Sequence, residues 1–223
     1  MRHLTRDPIV FGHRGVKNLA PENSLTGIQL ALDMGLDGIE IDVLDCKNTP
    51  VVIHQDDLSL TTPLSGLGSE SSLDAISAHV PQLEEVLALV SGQVVLNIEI
   101  KHPSRLETLL PIIQPYLDNY GVDRILFSSF DWQRLRALRE AIPDCKIGIL
   151  SVGAPLYLDQ LASELNASNL HLHVDFITET IVSQAHHLGL NVYVFTVRSA
   201  EHLAQLSNYE FDGYFSDFGR GIL

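Results

Sequence analysis

The stretch GIEIDV, residues 38–43, reads as a β-strand that carries two carboxylates, Glu40 and Asp42. Side chains two apart in a strand share a face. Two carboxylates on one face of an otherwise apolar strand repel each other, and they are costly to bury unless positive charge sits between them. The rest of the strand, Ile39, Ile41 and Val43, is nearly continuous in its apolar character, as expected of a parallel sheet covered on both sides. The strand therefore predicts both a fold and a place in it where charge gathers.

Similar runs recur along the chain at 9–13, 51–54, 94–100, 124–130, 146–151, 169–174, 191–197 and 212–216. Helical stretches fit between them. Asn23 or Ser24 is placed to cap the first helix, which carries Leu25, Ile28, Leu32 and Met34 and ends at Gly35. Others lie near 81–90, 103–118, 131–141, 155–165, 178–188 and 199–206. Repeated βα units predict a (β/α)8 barrel or an open doubly wound sheet. The nine strand candidates exceed the eight places of a barrel, and the seven residues 44–50 are too few for a helix, so that piece is a hairpin or an irregular excursion. Residues 57–75 are rich in Ser and Gly and read as a surface loop or small excursion. No linker composition or useful internal repeat divides the chain, and 223 residues suit one barrel domain over residues 1–223.

The 28 acidic residues outnumber the 14 basic ones, giving a formal charge of −14, which argues against nucleic acid and anionic membrane as general partners. A small anionic substrate remains compatible if its pocket is locally positive. Cys46 and Cys145 are too few for a disulfide scaffold or thiolate metal cluster. The N-terminal MRHLTRDPIVFGH lacks the apolar core of a signal peptide, and no run reaches the length of a membrane span, so the cytoplasm is the expected location.

In a βα barrel, functional groups gather where strands end and βα loops begin. His13 and Arg14 end the first strand, Glu40 and Asp42 lie on the second, and His54 ends the short third. In NIEIK, residues 97–101, Asn97, Glu99 and Lys101 alternate onto one face. Three carboxylates offer the hard oxygen donors that Mg²⁺ or Ca²⁺ takes. Arg14 and Lys101 suit phosphate oxygens, and two histidines suit proton transfer near neutrality. The combination predicts metal-assisted cleavage of a phosphate ester. The plainer reading is an ion-pair network, with Glu40 and Asp42 facing Arg or Lys across the barrel interior. His171 and His173 are expected to be structural, as no carboxylate is near them in sequence. His186 and His187 suit a helix C-terminus, and His3, His79, His102 and His202 have no motif around them.

HRG at 13–15, PEN at 21–23, EIDV at 40–43, VVIH at 51–54 and NIEIK at 97–101 together resemble the glycerophosphodiester phosphodiesterase family. PQLEEVL at 81–87, SSF at 128–130, FTV at 195–197 and DGYFSD at 212–217 extend the resemblance over nearly the whole chain. It implies an α/β fold, a somewhat irregular TIM barrel with a short loop or small insertion where the family has a larger one. It also implies hydrolysis of glycerophosphodiesters to sn-glycerol 3-phosphate and an alcohol. By motif, His13 and His54 match the family's acid/base pair, and Glu40, Asp42 and Glu99 its divalent-metal ligands. The cofactor is then one divalent cation, Mg²⁺ or Ca²⁺, with Mn²⁺ a further option. Arg14 and Lys101 match basic residues at the phosphate, Glu22 and Asn23 fall in the first active-site loop, and Phe195 stands at a substrate-facing aromatic position. His13 is favoured as base and His54 as leaving-group acid, with the reverse open, and the nucleophile is water or the glycerol 2-hydroxyl.

The chain also departs from the family's pattern. Gln55 stands where an aspartate usually follows the second histidine, Leu60 where an arginine is common, and Phe195 where tryptophan is usual. These changes bear on the leaving-group pocket and the rate. Gln55 and Leu60 keep open a non-catalytic binding barrel. A related phosphodiesterase for lysophospholipids or other phosphodiesters is a further alternative, which an extended apolar entrance would support. A metal-dependent lyase or aldolase recruiting Lys101 fits the two histidines less well.

Overall fold

The alternation of apolar runs and amphipathic helices is realised in a computed structural model that describes residues 7–220. His3 and the rest of residues 1–6 of the N-terminal segment lie outside the described residues. The strands are β1 (Ile9–Gly12), β2 (Gly38–Cys46), β3 (Thr49–Val52), β4 (Val95–Ile100), β5 (Ile125–Ser129), β6 (Lys146–Ser151), β7 (Asn169–His173), β8 (Asn191–Val197) and β9 (Gly213–Ser216). Eight of them pair in parallel in the order β1-β9-β8-β7-β6-β5-β4-β2, and the pairing of β1 with β2 closes the ring. This is a TIM barrel rather than an open sheet.

The helices are α1 (Leu25–Asp33), α2 (Leu73–Ile76), α3 (Leu83–Val90), α4 (Leu106–Tyr120), α5 (Trp132–Ala141), α6 (Leu158–Leu165), α7 (Glu179–His187) and α8 (Ala200–Leu206). Several begin on a side-chain cap that satisfies an otherwise unpaired N–H of the first turn. Ser24 Oγ accepts from Gly27 N at 3.0 Å, and Asp131, Thr178 and Ser199 cap α5, α7 and α8 in the same way. Of the two candidates for the first cap, Ser24 takes the role. In α4, Pro111 and Pro115 lie on the solvent side while Leu109, Ile113, Tyr116 and Leu117 are buried.

The ninth strand is the return arm of a hairpin. β2 continues through Cys46, turns at Lys47 in a left-handed backbone conformation (φ 53°), and β3 runs back antiparallel with Val43 opposite Val52. The strand expected over 51–54 thus begins earlier, and it leaves His54 just beyond its end. Leu44, Cys46, Val51, Ile53, Leu58, Ile76 and Val80 form a small separate core beneath the excursion at 57–75. That excursion folds into two 3-10 turns, Leu58–Leu60 and Gly68–Glu70, followed by α2.

Inside the barrel, Phe11, Leu126, Tyr193 and Phe215 fill the lower interior. Barrel interiors must be packed, and large rings require small neighbours across the ring of strands. A Cβ at Gly38 would lie 2.3 Å from the Phe11 ring, and one at Gly148 would lie 2.5 Å from the His171 ring. The charged residues lie above this plug, toward the C-terminal ends of the strands.

Candidate active site

The turn after β1 places the first two functional groups. Gly15 has φ +83°, and a Cβ there would come within 2.7 Å of the Gly27 backbone, so the third position of HRG accommodates only glycine without strain. Arg14 also adopts a left-handed backbone (φ 52°), which turns its N–H onto Glu40 Oε2 at 2.8 Å. A non-glycine residue held there is local strain offset by that charge-assisted hydrogen bond.

The register of β2 against β4 sets Asp42 opposite Glu99 and Glu40 opposite Asn97. Glu40, Asp42 and Glu99 each offer an oxygen, and these oxygens lie within 4.8 Å of one another. Two cations stand among them. Arg14 Nε is 3.3 Å from Asp42 Oδ2, and Lys101 Nζ is 3.5 Å from Asp42 Oδ1 and 2.8 Å from Glu99 Oε1. The ion-pair network foreseen as the plainer reading is therefore present, and it is incomplete. With Glu22 also on the Arg14 guanidinium, four carboxylates share two cations, which leaves an excess of negative charge.

That imbalance appears in the proton affinities. Burial, with Asp42 and Glu99 nearby, raises the Glu40 carboxyl well above its ordinary value. Burial and Asp42 raise Glu99 to about 7. Asp42 moves the other way: burial opposes ionisation, but Lys101, Arg14, His54 and the Asn23 hydrogen bond outweigh it. Burial also opposes the charges of Arg14 and Lys101, yet their carboxylate neighbours raise both.

The two histidines flank this cluster. His13 Nδ1 is 2.6 Å from Asp217 Oδ1, and its Nε2 is 4.0 Å from Glu40 Oε2. Burial lowers the His13 pKa against the raising effect of the Asp217 hydrogen bond. His54 is half-buried and sits close enough to feel Asp42, Arg14, Lys101 and His13. Burial, with the cationic neighbours, takes it down to about 4.

Glu22 and Asn23 hold the site rather than stand free in it. Glu22 binds the Arg14 guanidinium at 3.0 Å, while the buried Asn23 amide donates to Asp42 Oδ2 at 2.9 Å and accepts from Asp42 N at 3.2 Å. Asn23 has φ 53°, the turn that presents it to β2 rather than to the helix end. Gln55 and Leu60 are exposed, and Asp56 accepts from the Ser69 backbone and hydroxyl.

Asp217 escaped the sequence reading although it lies in DGYFSD. Its signal was positional, since it follows β9 as His13 follows β1, and those strands are neighbours. Lys17 and Arg198 reach the same carboxylate at 3.7 and 3.9 Å. His171 is fully buried and lines the same pocket as Glu40 and Glu99, and His173 Nδ1 lies 3.5 Å from Asp175 Oδ2, so the expectation that neither has a carboxylate nearby fails for both. Elsewhere, His186 pairs with Asp212 at 2.9 Å and His187 Nδ1 lies 2.7 Å from the Ser183 carbonyl oxygen.

The opposite half of the mouth has a different character. Phe195, on β8, has its ring centroid 6.0 Å from Phe130 after β5 and 5.5 Å from His173 on β7, both nearly perpendicular. His173 meets Phe176 at 6.2 Å. Phe130, Val152, Leu156, Tyr157 and Phe176 are all exposed in the loops after β5, β6 and β7.

The carboxylate set fits a hard divalent cation. An ion bonded to three oxygens at about 2.0–2.6 Å needs them no more than about 4–5 Å apart, and the observed separations meet this. A dication would also supply the charge that the two side-chain cations leave missing.

Comparison with known proteins places these features in context. The model of the glycerophosphoryl diester phosphodiesterase family matches residues 13–219. A glycerophosphodiester phosphodiesterase of Bacillus altitudinis is 28% identical over 94% of each chain. One from Caldanaerobacter subterraneus subsp. tengcongensis is also 28% identical, over 94% of this chain and 93% of that one. Among solved structures, an Oleispira antarctica phosphodiesterase in complex with the product sn-glycerol-3-phosphate superposes with a TM-score of 0.84 at 28% identity, covering 95% and 93% of the two chains. The Thermotoga maritima glycerophosphodiester phosphodiesterase gives 0.79 at 25% identity, covering 95% of each.

Proposed function

The chain belongs to the glycerophosphoryl diester phosphodiesterase family, and from that premise we propose that it hydrolyses glycerophosphodiesters to sn-glycerol 3-phosphate and an alcohol. The reading covers one catalytic domain, with its site at the barrel mouth. The observation that carries it is the convergence of Glu40, Asp42 and Glu99 with His13 and Arg14.

Glu40, Asp42 and Glu99 would hold one divalent cation, Mg²⁺, Ca²⁺ or Mn²⁺. Such an ion supplies Lewis-acid stabilisation of charge on phosphoryl oxygens. Arg14 and Lys101 contribute N–H groups to the same oxygens, with Glu22 fixing the guanidinium and Asn23 fixing Asp42. His13 acts as base through Nε2. Burial keeps it neutral before reaction, and Asp217 on Nδ1 orients the ring and stabilises the imidazolium once the proton is taken. The nucleophile, water or the glycerol 2-hydroxyl, loses that proton as its oxygen bonds to phosphorus and the bond to the leaving alcohol breaks. His54 gives its proton to the leaving oxygen. Its pKa of about 4 in the free protein means that the bound substrate's negative charge must raise it, so that His54 takes up a solvent proton before the bond breaks. Phe195 walls the alcohol side.

The decisive assay measures sn-glycerol 3-phosphate released from glycerophosphocholine and glycerophosphoethanolamine with Mg²⁺, Ca²⁺, Mn²⁺ or EDTA. Release that needs metal and disappears in His13→Ala and His54→Ala is expected. Parent activity no greater than that of the variants under every metal would sink the proposal. A second reading, action on lysophospholipids, is favoured by the exposed Phe130, Leu156 and Phe176 at the mouth. Lysophosphatidylcholine in the same assay separates it. No helix among the described residues is long and apolar enough to cross a membrane, and a cytoplasmic site of action remains part of the proposal.

A further inference from the structure

Against the carboxylate cluster lies a cavity of about 20 Å³, lined by His13, Glu40, Asn97, Glu99, Ser128 and His171 among apolar walls. Four polar atoms of these residues are buried without a protein partner: Glu40 Oε1, Asn97 Oδ1, and both ring nitrogens of His171. Buried polar atoms without partners cost on the order of 1–3 kcal/mol each, so several converging on one space require an explanation. A divalent ion on the carboxylates would account for Glu40 Oε1 alone. It leaves Asn97 and His171 unexplained.

The site around His171 is built for an imidazole. The ring stacks on Tyr193 with centroids 5.4 Å apart, meets Phe215 at 5.0 Å, and lies over Gly148 where no Cβ could stand. Burial lowers its pKa to about 3, so near neutrality it carries one N–H donor and one acceptor. Asn97 Oδ1 accepts only, and neither it nor Glu40 Oε1 has a protein partner within reach, so the two do not satisfy each other. A single water reconciles three of the four atoms, donating to both oxygens and accepting from one imidazole N–H. Gly148 lies against the Nε2–Cε1 edge of the ring, and we assign the remaining nitrogen, Nδ1, to the water. The volume suffices, since one water needs about 10–15 Å³.

We propose that this cavity is a structural water site, and that through the water His171 and Asn97 act as positioning residues for the Glu40 carboxylate. The second half of the inference rests on the reading of Glu40 as a metal ligand. Ligating carboxylates that are hydrogen-bonded in turn hold their metal more tightly, and loss of such a partner weakens affinity about 10–100-fold.

A high-resolution crystal structure of the metal-free protein tests the water directly. An ordered water within hydrogen-bonding distance of His171, Asn97 and Glu40 is expected, and a dry cavity overturns the proposal. The positioning role is read by calorimetric titration with Mn²⁺. His171→Phe keeps the stacked ring and removes its polarity. It should weaken Mn²⁺ binding by about 10–100-fold while the metal-free melting temperature holds. His171→Asn, whose amide nitrogen falls near the imidazole Nδ1, should recover part of the loss. Parent-like Mn²⁺ affinity in His171→Phe would overturn the positioning role. A parent protein that binds no Mn²⁺, Mg²⁺ or Ca²⁺ would instead defeat the metal reading, and the diffraction result would still decide the water.

Discussion

The two halves of the barrel mouth are built from different materials. The strands β9, β1, β2 and β4 are neighbours in the ring, and they or the turns after them carry Asp217, His13, Arg14, Glu40, Asp42, Glu99 and Lys101. The strands β5, β6, β7 and β8 complete the ring, and their ends carry Phe130, Val152, His173, Phe176 and Phe195. The first half is buried and held by short ion pairs, whereas the second is open and holds its rings edge to face. A substrate that straddles the mouth meets fixed charge on one side and adaptable apolar surface on the other. Phosphate chemistry belongs to the half that cannot tolerate change, and choice of alcohol to the half that can.

This division breaks first if the histidines prove dispensable. His13→Ala and His54→Ala should each lower kcat by about 10²- to 10⁴-fold, measured by glycerol 3-phosphate release. Less than a tenfold loss in both would detach chemistry from the charged half. Asp217→Asn should follow with a loss of about 10- to 10³-fold in kcat. Because Asp217 raises the His13 pKa, the acid limb of the rate profile should move to lower pH in this variant. A limb that stays in place would mean that the pair serves only to hold β1 against β9.

Metal affinity sharpens the comparison from another direction. Glu99 holds a proton up to about 7, and an incoming cation must displace it. Affinity for Mg²⁺ should therefore rise with pH across this range, by about tenfold per unit for each proton released, with the raised Glu40 carboxyl adding to the Glu99 proton. Calorimetry in buffers of different ionisation enthalpy would detect the proton directly. A flat profile between pH 5 and about 8 would contradict the charge imbalance at the site. The smallest effects belong to the aromatic half. Phe130→Ala and Phe176→Ala should change KM for glycerophosphocholine by about two- to fivefold, the scale of an exposed cation–π contact, with kcat and melting temperature unchanged. A loss in kcat matching that of Asp217→Asn would erase the distinction between the halves.

The charged half was also the more legible in sequence. Glu40, Asp42, Glu99 and Lys101 announce themselves because alternation in a strand fixes which side chains share a face, and carboxylates stand out among Ile and Val. The order of strands and helices followed from the same periodicity. Two things stayed hidden. Residues 44–50 allowed a hairpin or an excursion because the hairpin's support comes from Leu58, Ile76 and Val80, beyond the strand pair itself. Asp217 and His171 gave no local signal because their partners are set by ring closure and by packing across the barrel. Ser24 rather than Asn23 became the helix cap because Asp42 claims the Asn23 amide.

The contact between His13 and Asp217 spans 204 residues. Its two strands, β1 and β9, are the first and last staves of the ring, so the proposed base acquires its orienting partner only when the circle is joined. A chain emerging from the ribosome would display the early carboxylate cluster long before that join. Contacts so distant in sequence form late and carry a high loop-closure cost. Under the proposed mechanism, an unfinished or C-terminally clipped chain would retain the residues to attract a cation but lack the dyad that primes His13. Full hydrolytic power would then report that the polypeptide had been synthesised to its last strand.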